Sequence, residues 1–219
     1  MFRDRLLPIL FMLVILPFLA GQAESQIRLG AFGFAEEKRE HFIYRDEWKD
    51  MRKRKVADAT WHAWLAKIAY LQDMPAKARL KKLNAVTNAS VRRGEDFELY
   101  KRRDYWATPT ETLRQGGDCE DYAILKYYSL KALGFAGEMR IVFVRDARDI
   151  NGPGHAVLTA RLGDIEYVLD SNTDPVVADY NRIHYRPYVS VNERGSWQHF
   201  YLPPLHVRSM FPGAMSKTN

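Results

Sequence analysis

Hydrophobic positions come first as a block. Nearly every residue of 6–20 is apolar, Arg3 and Arg5 stand before it, and the small residues Gly21 and Ala23 lead into the polar Glu24-Ser25-Gln26. A basic start, an apolar stretch and a small-residue tail describe a secretory signal peptide covering 1–23. With Pro8 and Pro17 inside it, the block falls short of the ~20 residues a membrane span needs, so an uncleaved anchor is the lesser alternative. The pattern then turns helical. Residues 36–56 are densely charged, with Phe42, Ile43, Trp48 and Met51 interspersed, which predicts one or two partly solvated helices. Over 57–71, Trp61, Trp64, Leu65, Ile68 and Leu71 recur at offsets of three and four, an amphipathic face. Pro75 suits a helix start, and the next helix runs through Leu80, Leu83 and Val86 toward Val91.

The second half changes period. Gly116-Gly117 breaks the chain, and a helix begins at Asp118-Cys119 with Tyr122, Ala123, Leu125, Tyr127, Leu130 and Leu133 placed almost all round it, stopped by Gly134. A helix so apolar is buried. Strands are predicted at 139–144, 155–162, 165–169 and 188–191, with Gly163-Asp164 as a hairpin turn. Helices followed by one buried helix and an antiparallel sheet make an α+β domain. No internal repeat interrupts 24–219, which divides into a helical part at 24–105 and a core at 106–200.

Composition narrows the class. The chain has 219 residues, 47% hydrophobic and 27% charged, ordinary globular proportions that exclude disordered and collagenous chains and a multi-span membrane protein. A net charge of +6 is mild, and cleavage after Ala23 lowers it by one. The run Arg52-Lys53-Arg54-Lys55 has no interleaved aromatics and reads as a solvated helix face, not a nucleic-acid contact. One cysteine excludes a disulfide scaffold. In an oxidising compartment, a thiol kept single is either buried and inert or reactive and used.

Position favours use. Cys119 lies in the first turn of a helix, where unsatisfied N–H groups and the positive dipole end favour thiolate. A thiolate nucleophile needs a proton carrier and an orienting group. Of six histidines, His155 opens a strand directly after Asn151-Gly152-Pro153-Gly154, and counting outward from the hairpin brings Asp170 within cross-strand reach of it. Asp118, Glu120 and Asp121 surround the sulfur and should raise its pKa. A capping box of Asp118 with Asp121 would account for their presence without removing that penalty. A bound Ca²⁺ would remove it, because hard cations take clustered carboxylates.

The stretch Gly117-Asp118-Cys119-Glu120-Asp121-Tyr122-Ala123-Ile124, with Lys126-Tyr127, Leu133-Gly134, His155-Ala156-Val157-Leu158 and Val168-Leu169-Asp170, resembles the bacterial transglutaminase-like cysteine proteases of the LapG type. That resemblance implies a papain-like or transglutaminase-like core, with Cys119 as nucleophile, His155 as base and Asp170 as acid. It implies a Ca²⁺-dependent periplasmic endopeptidase that cuts a large biofilm adhesin near its N-terminus. An inner-membrane cyclic-di-GMP receptor would restrain it through its periplasmic domain. Asp118 and Glu120 fall on the calcium-linked acids, with Asp121 beside them. Ala156 and Ser171 stand where the family pattern has Met and Asn, and Asn172 follows one place later. The oxyanion donor expected is the Cys119 N–H, with Trp106 or Gln115 as the second. Two other functions use the same residues: a transglutaminase passing the acyl group to an amine, and a calcium-dependent binding module without turnover.

Overall fold

The computed structural model describes residues 28–54 and 58–203. The expected signal peptide, and Lys55 of the basic run, lie outside the described residues. An eight-stranded antiparallel sheet is built from β1 (Arg28–Leu29), β2 (Ala35–Arg39), β3 (Met139–Asp146), β4 (His155–Leu162), β5 (Ile165–Asp170), β6 (Thr173–Ala178), β7 (Tyr185–Asn192) and β8 (Gly195–Phe200), in the spatial order β1-β2-β8-β7-β3-β4-β5-β6. The helices are α1 (Arg45–Lys53), α2 (Ala59–Ile68), α3 (Ala76–Ser90), α4 (Asp96–Tyr100), α5 (Pro109–Gln115) and α6 (Cys119–Ala132).

The predicted central helix is α6. Tyr122, Ala123, Ile124, Leu125 and Leu130 are all buried, and Gly134 at φ +70° ends it while the Phe135 N–H returns to the Leu130 carbonyl at 3.0 Å. It packs on β3 and β4, with α3 beside it reaching β5 and β6. Alternation within the strands sorts the two faces. Ile141, Phe143, Leu158 and Val191 meet the helices, whereas Val142, Val144, Val157 and Val168 form a smaller cluster on the opposite face with Ala31 and Phe32.

Several elements depart from the sequence reading. Residues 36–39, expected within a charged helix, belong to β2, which pairs with β8 and sets Glu36 opposite His199. The cause is a distant charge: Glu36 is buried and accepts from Arg140 Nη1 at 2.6 Å, while that guanidinium stacks on Trp197 at 3.8 Å. The strand expected from 188 begins at Tyr185 and passes through Pro187, tolerated because the β3–β7 register shifts between Phe143 and Val144. Helix α5 was not anticipated, although Thr108 and Glu111 form a reciprocal capping box with Pro109 at the first helical position. Strands β6 and β8 likewise lie outside the predicted strands. In the basic run, Arg54 is not a solvated face residue. It donates to Glu111 Oε2 at 2.7 Å, to the Tyr105 hydroxyl and to the Trp106 carbonyl, stapling α1 to the segment before α5.

Candidate active site

The break before α6 is a close backbone approach. Gly117 N–H donates to the Arg92 carbonyl at 3.0 Å. Gly116 has φ +101°, and a Cβ there would stand 2.2 Å from that same oxygen. A Cβ on Gly117 would meet Asp121 at 2.5 Å. The two glycines therefore let the helix start lie flat against the 92–94 segment.

Cys119 is the first residue of α6, His155 the first of β4 and Asp170 the last of β5. Cys119 and His155 line two adjoining hollows of about 610 and 250 Å³. Arg93, Asp170, Arg182 and His184 help wall the larger, and Tyr44, Trp106, Phe143 and Tyr188 the smaller. The hairpin register runs from Leu162 against Ile165 to Leu158 against Leu169, and counting one step further sets Asp170 diagonal to His155 across the ladder. His155 Nε2 lies 2.8 Å from Asp170 Oδ1. The carboxylate thus engages Nε2, and Nδ1 is the ring nitrogen left for other chemistry. Tyr185 hydroxyl donates to Asp170 Oδ2 at 2.6 Å and Asn172 N–H to Oδ1 at 2.9 Å. Burial pushes the Asp170 carboxyl up, but the His155, Tyr185 and Asn172 bonds outweigh it and hold it well below the usual carboxylate range. The Asn172 side-chain amide lies 3.3 Å from His155 Nε2, so the residue one place beyond the family position still reaches the imidazole.

The sulfur is in a contrary field. Burial first, then Glu120 and Asp118, push the Cys119 thiol far up, opposed by the backbone N–H of Ala156 on β4. The thiol donates to Glu120 Oε2 at 3.2 Å. Asp118 stands at the N-cap, but its side chain makes no capping bond, so the capping box expected of it does not form. Asp121 Oδ1 instead accepts from the Ala107 N–H at 2.7 Å.

Two acids absent from the sequence reading join this group. Ligand atoms of Asp96, Asp118 and Asp121 lie within 4.8 Å of one another, as do those of Asp96, Asp104 and Glu120. Burial and mutual repulsion push the Asp96 carboxyl to about 7 and raise those of Asp118, Glu120 and Asp121 as well. Buried oxygens of three of them, Asp96 Oδ1, Asp118 Oδ1 and Asp121 Oδ2, have no hydrogen-bond partner among the described residues. Orphaned buried carboxylate oxygens facing one another suit a hard divalent cation with oxygen ligands. Asp96 stands before the loop leading to α5, with no ligand spacing to α6, which hid it in the sequence; its carboxylate accepts from the Tyr105 N–H at 2.5 Å. Of the second oxyanion candidates, Trp106 lines the smaller hollow with Nε1 donating to Asp104 Oδ1 at 3.3 Å. Gln115 is exposed at the end of α5 with its carbonyl held by Arg92.

A mixed α+β core with a lone helix-start cysteine lining the same hollow as a carboxylate-paired histidine defines a transglutaminase-like cysteine hydrolase fold. The chain belongs to the bacterial transglutaminase-like cysteine proteinase family, whose profile matches residues 48–201. It is similar to LapG of Legionella pneumophila in the calcium-bound form, at 27% identity and a TM-score of 0.55, over 72% of this chain and 88% of that one. The EGTA-treated form of the same protein gives 27% identity and a TM-score of 0.55, over 73% and 87%. No curated protein sequence matches the chain.

Proposed function

We propose that the chain is a periplasmic, Ca²⁺-dependent cysteine endopeptidase with Cys119 as nucleophile, His155 as proton carrier and Asp170 as its orienting acid. The observation that carries this reading is the 2.8 Å His155–Asp170 bond, made through Nε2 in a cleft shared with a cysteine at a helix start. In the reaction, His155 takes the Cys119 thiol proton, the sulfur attacks a backbone carbonyl carbon, and the developing oxyanion accepts a hydrogen bond from the Cys119 N–H. The C–N bond breaks as His155 protonates the leaving amine. Water then attacks the thioester, His155 removes its proton, and the acid product leaves with the thiol regenerated. Asp170 keeps the imidazole in one tautomer and supports its cation.

Asp96, Asp118, Glu120 and Asp121 would hold the calcium, whose charge favours thiolate beside carboxylates that otherwise oppose it. The orphaned oxygens of this group and the calcium-bound Legionella relative support that assignment. The substrate in this reading is a large surface adhesin cut near its N-terminus, and the regulator is the periplasmic domain of an inner-membrane cyclic-di-GMP receptor. Family membership and the export signal in the sequence support both. The test is to incubate the chain from residue 24 onward with an adhesin N-terminal fragment, with calcium or chelator, and sequence new ends. One cut is expected with calcium and none with chelator or with Cys119→Ala. Wild-type cleavage by Cys119→Ala would overturn the assignment, and cross-linking to an added primary amine in place of hydrolysis would make the chain a transglutaminase.

A further inference from the structure

An oxyanion formed at Cys119 needs preorganised donors, and the Cys119 N–H is one. The smaller hollow, about 250 Å³, holds candidates for another. Beside Cys119 and His155 it is walled by three aromatic side chains able to donate: Trp106 through Nε1, and Tyr44 and Tyr188 through their hydroxyls. Trp106 Nε1 is already engaged by Asp104 Oδ1 at 3.3 Å. Gln115 is not among the residues that wall this hollow. The two tyrosine hydroxyls lie 2.9 Å apart, and no other side-chain or backbone group among the described residues bonds either of them. Two phenols carry two protons, and the bond between them uses one. One hydroxyl proton is left over, in the same hollow as the nucleophile.

Packing indicates which ring carries it. Tyr44 stands just before α1, and its ring is held by Phe143 at 4.4 Å and Trp106 at 5.6 Å between centroids. Tyr188 stands on β7, and a Cβ added to Gly154 would come 3.1 Å from its hydroxyl oxygen. That hydroxyl therefore lies against the backbone immediately before His155. Burial first, then the bond to Tyr44, holds the Tyr188 phenol above its usual range, so the proton stays on oxygen. Phenylalanine at either place would keep the ring packing, so packing alone does not account for the hydroxyls.

We propose that Tyr188 is a catalytic residue whose hydroxyl is the second oxyanion donor, and that Tyr44 is a positioning residue that donates to Tyr188 and leaves the Tyr188 proton free. This rests on the hydrolase reading above. As the sulfur adds to the carbonyl carbon, the carbonyl π pair moves onto oxygen, which then accepts from the Cys119 N–H and the Tyr188 O–H. No proton changes owner at the tyrosines. When the C–N bond breaks, the pair returns to re-form the thioester carbonyl, and the same two donors serve again as water attacks. Tyr44 to Tyr188 to oxyanion runs in one direction, so each hydrogen bond polarises the next.

The test is Tyr188→Phe, Tyr44→Phe and the double variant, each assayed with calcium on the adhesin fragment and each titrated with iodoacetamide. Alkylation of Cys119 by iodoacetamide uses the thiolate but forms no oxyanion, so it reads the nucleophile alone. Tyr188→Phe is expected to lower kcat about 100-fold with KM within about twofold and the alkylation rate unchanged. Tyr44→Phe should lower kcat about tenfold, again with unchanged alkylation, and should add no further loss in the Tyr188→Phe background. Should Tyr188→Phe not fold, the Tyr44→Phe comparison of kcat with alkylation carries the test. A kcat within about threefold of wild type, or an alkylation rate that falls in step with kcat, would overturn the proposal and make the pair structural. Cys119→Ala run alongside separates the two ideas: if it is inactive, a wild-type kcat in the tyrosine variants sinks the donor assignment alone. If it cleaves at the wild-type rate, the hydrolase reading itself fails.

Discussion

The Cys119 thiol donates to Oε2 of Glu120, its neighbour in the chain, at 3.2 Å. A proton bound between sulfur and carboxylate is not available to His155, so Glu120 holds the nucleophile back when no cation neutralises it. Glu120→Gln should raise the alkylation rate of Cys119 in chelator several-fold, because a charge that opposes the thiolate is removed. The same change should weaken the calcium response. A thiol that reacts no faster in the variant would remove Glu120 from this role.

The acidic cluster predicts how stability depends on pH. Asp96, raised to about 7 chiefly by burial, binds its proton more tightly folded than unfolded, where an aspartate titrates near ~4. That contribution is whole below the unfolded pKa and is lost as pH rises through about 7. Asp118, Glu120 and Asp121 are shifted the same way and steepen the loss. Calcium takes the place of those protons, so the gap between melting temperatures in calcium and in chelator should widen from about pH 5 to about pH 8. A gap that narrows over that range would contradict the site.

Tyr185→Phe removes the 2.6 Å bond to Asp170 Oδ2. A buried hydrogen bond to a charged acceptor contributes roughly 1.5–3 kcal/mol. Asp170 has a depressed carboxyl, so its stabilising effect is present above the unfolded pKa and lost as pH falls through the folded one. The variant should therefore lose stability at neutral pH, with a shallower further fall on acidification. Urea midpoints at two pH values would read both.

Away from the cleft, Glu36→Ala leaves Arg140 buried with only Glu138, at 2.7 Å, to answer it. Breaking a buried pair on one side costs about 3 kcal/mol, the low end of the range because Glu138 remains. The expected result is a lower urea midpoint with kcat/KM of the folded protein unchanged.

Gly116→Ala tests the start of α6. The position combines φ +101° with a Cβ that would stand 2.2 Å from the Arg92 carbonyl oxygen, an atom of the backbone that cannot swing away. A loss of more than about 2 kcal/mol in unfolding free energy is expected. A neutral result would mean that the 92–94 segment is not pinned to the helix start.

The sequence disclosed the hairpin best. Strand β4 was legible to the residue because period-two apolar positions end at Gly163-Asp164, and Gly163 takes φ +60° in that turn. Local signals also located α6 and, through it, Cys119. What stayed hidden depended on partners far along the chain. Strand β2 reads as a solvated charged segment until Arg140 donates to the Glu36 carboxylate, and Asp96 joins the acids of α6 only through the fold. Helix α5 is the exception, since its Thr-Pro-Thr-Glu start is a local capping signal.

The two-residue connection between Leu162 and Ile165 has a consequence for which sequence changes the site can survive. His155 and Asp170 share one face of a ladder counted from that tip, so a single insertion or deletion within 156–169 turns one of the two to the opposite side. Length changes there are tolerable only when they preserve parity. The loop at 147–154 carries no such constraint, and it is where lengthened or shortened variants of the chain should be found to keep their chemistry.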